Sequence, residues 1–238
     1  MAGLSMYKNL APFSYERKRL ELFSTVQYKH LNKTITFPLS LVEVNNVAHS
    51  YPVVWQRNKD GVELVALVGL EPDHNYALSQ HPNFVRCNLL ILEAYPFALG
   101  RTDKEGHWQI LVDEVMGQGE DEPAALRNAA GELSEEADHR LSALRVFAES
   151  YGRTQALSQL LDEAGLLKPW DVSLKIGERF VGLRGLEVLD RDVDIRRLKL
   201  AGVIEQVGWD AIHLATMHEL SLFRMQNLLE ARTAAQAA

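Results

Sequence analysis

Asp113 and Glu114 close the apolar stretch ILVDE, just before the acidic, glycine-bearing segment GQGEDE at 117–122. Two carboxylates at one rim can divide acid and base roles or hold a divalent cation. Neighbouring residues on a strand point to opposite faces, however, so this pair does not make a simple dyad, and capping or ion pairing is the plainer role. Histidines stand at 30, 49, 74, 81, 107, 139, 213 and 218. None forms an H-x₃-H or HExxH pair, and His213 and His218 lie about 140° apart around a helix. No metal and no cofactor are therefore expected. His218 and Ser221 do share a helical face at i, i+3. Without a GxSxG elbow around the serine, a hydrogen bond bracing that helix is the expected role. Gly182-x-x-Gly185 and Gly117-x-Gly119 are not phosphate loops, because no GxGxxG opens a helix and no GK[ST] occurs. Cys87, the single cysteine, lies beside LLIL and reads as a buried, inert thiol.

The elements that would position these groups begin with Ser40-Leu-Val-Glu43, a capping box followed by an apolar helical stripe at 41, 44, 47, 48 and 51. Pro52 ends that helix. Val53–Gln56 and Val62–Leu70 read as a strand pair about the turn Asn58-Lys-Asp-Gly61. Further strands are expected over Asn88–Leu99 and Trp108–Val115, with a turn at Asp103-Lys-Glu-Gly106. These are meander spacings, so the sheet should be largely antiparallel. A long helix follows, opening near Pro123 or afresh at Ser134 with Glu135 and Glu136 in its first turn, and ending at Gly165. It would span about 30 residues, or about 45 Å. Phe180 to Leu189 reads as a strand returning to the sheet, Asp190–Leu198 as a short helix, and 209–231 as a longer one. Trp55, Trp108, Trp170 and Trp209 are expected at the core or an interface.

The 238 residues carry a net charge of −7, which argues against a general nucleic-acid binder. The first sixty residues hold eight basic and four acidic side chains, leaving about −11 on the remainder. Segment 1–38 mixes aromatics with bases (Tyr15, Arg17, Lys18, Arg19, Phe23, Tyr28, Lys29, Lys33) and is expected to lay its rings on the domain while its charges stay wet. No apolar run approaches the roughly 18–20 residues of a membrane span, and no signal-peptide core interrupts the first thirty residues. A cytoplasmic setting is the expectation.

Several pieces, in order, resemble the SapC family of bacterial surface-layer-associated proteins. They are Ser40 to Tyr51-Pro52-Val53-Val54, Val68-Gly69-Leu70, Tyr95-Pro96-Phe97, Val112-Asp113-Glu114 and Gly131-Glu132-Leu133-Ser134. Arg153-Thr154, Gly165-Leu166-Leu167, Phe180-Val181-Gly182 and His218-Glu219-Leu220-Ser221-Leu222 follow. The resemblance runs from about residue 38 to 229. Glu219 stands where the family has leucine, and the 117–122 loop departs from its usual form. Family relatives imply a place beside flavin-dependent halogenase-like and cupin-like enzymes.

The expected fold class is α+β, a largely antiparallel sheet packed by a long central helix and C-terminal helices. The expected division is an N-terminal arm over 1–38, one SapC-like domain over 39–231 and a short tail over 232–238. The leading functional reading is an accessory protein without an evident catalytic centre, recognising a protein or peptide through an apolar groove between sheet and helices. Tyr51, Tyr95, Asp113, Glu114, His218 and Ser221 are its candidate binding residues. The alternatives are a small-molecule-binding domain or enzyme using carboxylates around Asp113 and Glu114, and a surface-layer structural component. Tyr51-Pro52 and Tyr95-Pro96 stand at corners, so their rings should be buried.

Overall fold

In the segment GVELVAL every residue after the glycine is buried, the mark of a strand covered on both faces. In the computed structural model, which describes residues 6–14, 20–59, 61–79, 87–101, 108–176 and 178–237, this segment is the second arm of a hairpin. The elements, in chain order, are β1 (Leu10–Pro12), β2 (Glu21–Leu22), β3 (Thr36–Pro38), α1 (Val44–Ala48), β4 (Val53–Asn58) and β5 (Gly61–Leu67). There follow α2 (Leu90–Ala94), β6 (Phe97–Arg101), β7 (Trp108–Asp113), β8 (Ala124–Ala125), α3 (Glu135–Glu163) and β9 (Leu167–Pro169). The chain ends with β10 (Val172–Ile176), β11 (Arg179–Leu183), β12 (Leu186–Leu189), α4 (Val193–Val207), α5 (Trp209–Ser221) and α6 (Met225–Ala237).

β4 and β5 pair antiparallel from Val53↔Ala66 to Asn58↔Gly61. Gly61 closes the hairpin at φ 128°, a conformation that side chains oppose. They form the middle of an antiparallel sheet ordered β3-β5-β4-β12-β9. A second antiparallel sheet is ordered β1-β7-β6, and β2-β8 and β10-β11 form two small ribbons. The mixed, antiparallel class is as read from the sequence, but the expected single sheet is divided. The strand expected over Phe180–Leu189 is two strands, of which β12 alone rejoins the large sheet beside β4.

α3 is the spine. Ser134 caps it, its hydroxyl accepting from the Ala137 amide, with Glu135, Glu136 and Asp138 in the first turn. At the other end Gly165 (φ 64°) forms a Schellman stop: its amide donates to Asp162 O at 2.8 Å and the Leu166 amide to Leu161 O at 3.0 Å. At 29 residues the helix is about 43 Å long, enough to serve two cores. Ala137, Leu141 and Leu144 pack with Phe97 and Val112 of the smaller sheet. Phe147, Leu157 and Leu161 join the main core around Trp55, Leu64 and Val65.

Five boundaries differ from the sequence reading, the first being the helix expected over 209–231, which is two helices, α5 and α6, parted by a 3-10 turn at Leu222–Arg224. LLILEA, expected within a strand, holds helix α2, because a short apolar run has no period that separates the two. The helix expected at 41–51 is confined to α1. The helix expected over Asp190–Leu198 starts at Val193, on the cap of Asp192, and continues to Val207. Pro123 precedes β8 and does not open a helix. Met6, Tyr7, Tyr28, Leu31 and Phe37 of the N-terminal segment lie in the main core. Tyr15, Arg17, Lys18, Arg19, Asp60, His81, His107 and the turn at 103–106 lie outside the described residues. Among the described residues no helix is long and apolar enough to cross a membrane.

Candidate functional site

Asp113 ends β7 and turns inward, 1% exposed. Its carboxylate accepts from the backbone amides of Asn9 at 2.7 Å and Lys8 at 3.0 Å, and from the Tyr95 hydroxyl at 2.7 Å. These donors pin the N-terminal segment just where β1 runs beside β7. The ring of Tyr95 is fully buried, stacked on Tyr7 and edge-on to Tyr28. Burial, reinforced by Asp113, pushes its phenol well above the ordinary range, so the hydroxyl keeps its proton and donates. His30 Nε2 stands 3.2 Å from that hydroxyl and 3.9 Å from Asp113. Burial lowers the His30 pKa, against the pull of Asp113. Arg140, reaching across from α3, donates to Tyr95 O and Phe23 O and pairs with Glu136. The Tyr95–Pro96 bond is cis. Glu114 faces solvent, so the two adjacent carboxylates do not converge. With three donors on it, Asp113 is a clamp.

His218 and Ser221 come from one face of α5 and meet the same residue of the sheet. Ser221 Oγ accepts from the Val53 amide at 2.9 Å and donates to His218 O at 2.7 Å. His218 Nδ1 lies 2.7 Å from Val53 O, and its Nε2 accepts the Leu189 amide at 3.2 Å. β4 and β12 pair only at Leu186↔Gln56 and Glu187↔Trp55. Beyond that point the strands are bridged by the imidazole, which supplies both partners their backbone groups need. Accepting at Nε2 requires the neutral ring with its proton on Nδ1. Burial drives the pKa down to about 4. The brace expected within one helix is thus a brace between helix and sheet.

The remaining candidate, Tyr51, is 2% exposed and donates to Tyr76 O at 3.1 Å. Of the tryptophans, Trp55 is fully buried and bonds Ser158 of α3. Trp209, expected in a core or interface, is 71% exposed at the start of α5. The six candidates therefore lie apart: Tyr95 and Asp113 together, His218 and Ser221 together, Tyr51 and Glu114 each elsewhere.

Residues that the sequence reading passed over line the open space. Glu43 is 5% exposed. It accepts from the Ser40 amide and hydroxyl and, at 2.8 Å, from the Leu90 amide opening α2. The capping box was legible; its reach to a second helix 47 residues on was not. Burial pushes the Glu43 carboxyl up to about 7, against those three donors. Cys87 beside it is pushed up to about 11, by burial first and then by Glu43 and Glu93. Two hollows flank this point. One, of about 670 Å³, is lined by Val42, Leu90 and Val146 together with Glu43, His49 and Cys87. Val42 and Val146 are 56% and 42% exposed. The other, of about 430 Å³, is more polar and presents Glu93, Glu122, Glu136, His139 and Arg140. Both include Cys87, Asn88 and Glu93, so both hollows border α2. Among the described residues no group of three or more His, Cys, Asp or Glu could hold a metal ion.

The fold is a mixed antiparallel one in which the buried side chains of Asp113, His218, Ser221 and Glu43 bond its own backbone. The SapC family model matches residues 15–228, and the chain belongs to the SapC family. No curated protein and no solved structure gave a match.

Proposed function

We propose that this SapC-family protein is an accessory binding protein that takes an apolar segment of a polypeptide partner into the groove between α1, α2 and α3. The observation that carries the reading is the exposure of Val42 and Val146 on a hollow with Leu90. Apolar side chains at a concave rim lose contact with water when a ligand enters, which gives such a hollow its affinity. Glu93, shared by both hollows, favours a segment that carries a basic or amide donor beside its apolar anchor. The proposed groove lies between helices, where the sequence reading had looked between helices and sheet. The proposed setting is the cytoplasm. Supporting it is Cys87, the single cysteine of the sequence, a free thiol as suits a reducing compartment. Flavin-dependent halogenase-like and cupin-like enzymes, implied by the family resemblance, are the first partners to supply test peptides.

Peptides selected from a displayed library, together with fragments of those enzymes, should bind the full chain in calorimetry. Val42→Asp with Val146→Asp should abolish that binding and leave the melting temperature within about 2 °C, because both side chains are exposed. Peptides that bind the double variant as well as the wild type would refute the groove.

A further inference from the structure

We propose that the outward face of α4 is a self-association surface, on which two copies of this chain pack antiparallel about a two-fold axis through Leu198. The inward face of α4 is fully used. Val203 is buried, and Leu200, Ile204 and Val207 pack on the main core. Arg196 pairs with Glu219 of α5 at 2.9 Å, and Lys199 reaches Gly165 O at 3.3 Å. The opposite face carries Ile195, Leu198, Ala201, Gly202 and Glu205 at helical spacing, with Arg191 just ahead of the Asp192 cap. All of these are exposed, Leu198 by 80%.

That face is complementary to itself. Glu205 stands seven residues after Leu198, about 10 Å along the axis, and Arg191, two residues ahead of the first helical residue, lies off the opposite end. In an antiparallel pair centred on Leu198, each Arg191 meets Glu205 of the second copy, at both ends. The same operation sets Ile195 over Ala201 and Gly202, bulk against small side chains. Matching a patch to its own rotated image is what a two-fold interface requires. Among the described residues neither Arg191 nor Glu205 has an ion pair or hydrogen bond on its side chain. Gly202 adds a separate observation. Glycine is a poor residue for a helix interior, and a Cβ built there meets nothing within 4 Å, so packing within the chain does not call for it. A second helix backbone approaching at that point does.

One pair of helices of this length covers less than the roughly 1,200–2,000 Å² of a stable complex, so the dimer should be weak and concentration-dependent. Sedimentation equilibrium of the full-length chain, from micromolar to millimolar, should show a reversible monomer–dimer equilibrium that weakens with salt. Leu198→Glu should weaken it by about tenfold or more, the effect of losing a buried leucine contact, with an unchanged melting temperature at low concentration. Arg191→Glu and Glu205→Arg should each weaken dimerisation, and the two in one chain should restore it. A chain that stays monomeric throughout overturns the proposal. A dimer insensitive to Leu198→Glu, or single charge reversals that the double variant does not rescue, overturns it equally.

Discussion

Replacing His218 by glutamine should change how the stability of this protein responds to acid. The imidazole donates from Nδ1 to Val53 O and accepts at Nε2 from the Leu189 amide. Protonation would put a hydrogen where Leu189 already donates, inside a site 1% exposed. The ring is thus held neutral, its pKa down to about 4 from 6.5. In the unfolded chain the same histidine takes a proton at its ordinary value. Between about pH 6.5 and 4 the unfolded state therefore binds more protons, and stability falls as pH drops through that window. The gap is worth about 3 kcal/mol at 1.36 kcal/mol per pH unit. Glutamine keeps a donor and an acceptor but does not titrate. At pH 7.5 the variant should be less stable by about 1–3 kcal/mol, through imperfect hydrogen bonds. Urea unfolding of both proteins across pH 4 to 7.5 gives the difference, in which the other titrating groups largely cancel. That difference should shift by about 3 kcal/mol against the wild type on going to pH 4. A difference independent of pH would refute the argument that the ring is locked neutral between β4 and β12.

Two further outcomes follow from the same packing. Glu43, raised to about 7 from 4.5, contributes stability that is complete below pH 4.5 and lost as pH rises to about 7. Wild type minus Glu43→Gln should therefore fall by about 3 kcal/mol over that rise, measured by urea unfolding, and a flat difference would contradict the burial of the carboxyl. This slope opposes that of His218 between pH 4.5 and 6.5, so single variants reveal what the wild type conceals. Tyr95→Phe removes one of three donors from buried Asp113 and should cost about 1–3 kcal/mol at pH 7.5; an unchanged unfolding midpoint would mean that the hydroxyl does not carry the clamp.

Local chemistry was legible wherever a few neighbouring residues decide a conformation. Ser134 and Gly165 marked the ends of α3 because a hydroxyl reaching a free amide and a left-handed residue are properties of one turn. The β4–β5 hairpin was legible for the same reason, from two apolar runs parted by a glycine tolerant of positive φ. The burial of both Tyr-Pro corners followed from where proline must end a helix or turn a chain. Where the local signal was weak, as in the short apolar run of α2 or the mostly exposed α4, the length or even the type of element was misread. Asp113 showed itself in the sequence as one of two adjacent carboxylates. Only the tertiary structure set the amides of Lys8 and Asn9, more than a hundred residues away, against it. The pairing of His218 and Ser221 could be read from helix periodicity, but not their meeting with Val53, 165 and 168 residues away. That contact depends on where β4 and β12 stop pairing, which no local feature of either strand marks. Caps, turns and stripes were the sequence's own to determine; which backbone groups the buried polar side chains satisfy was decided by packing between distant elements.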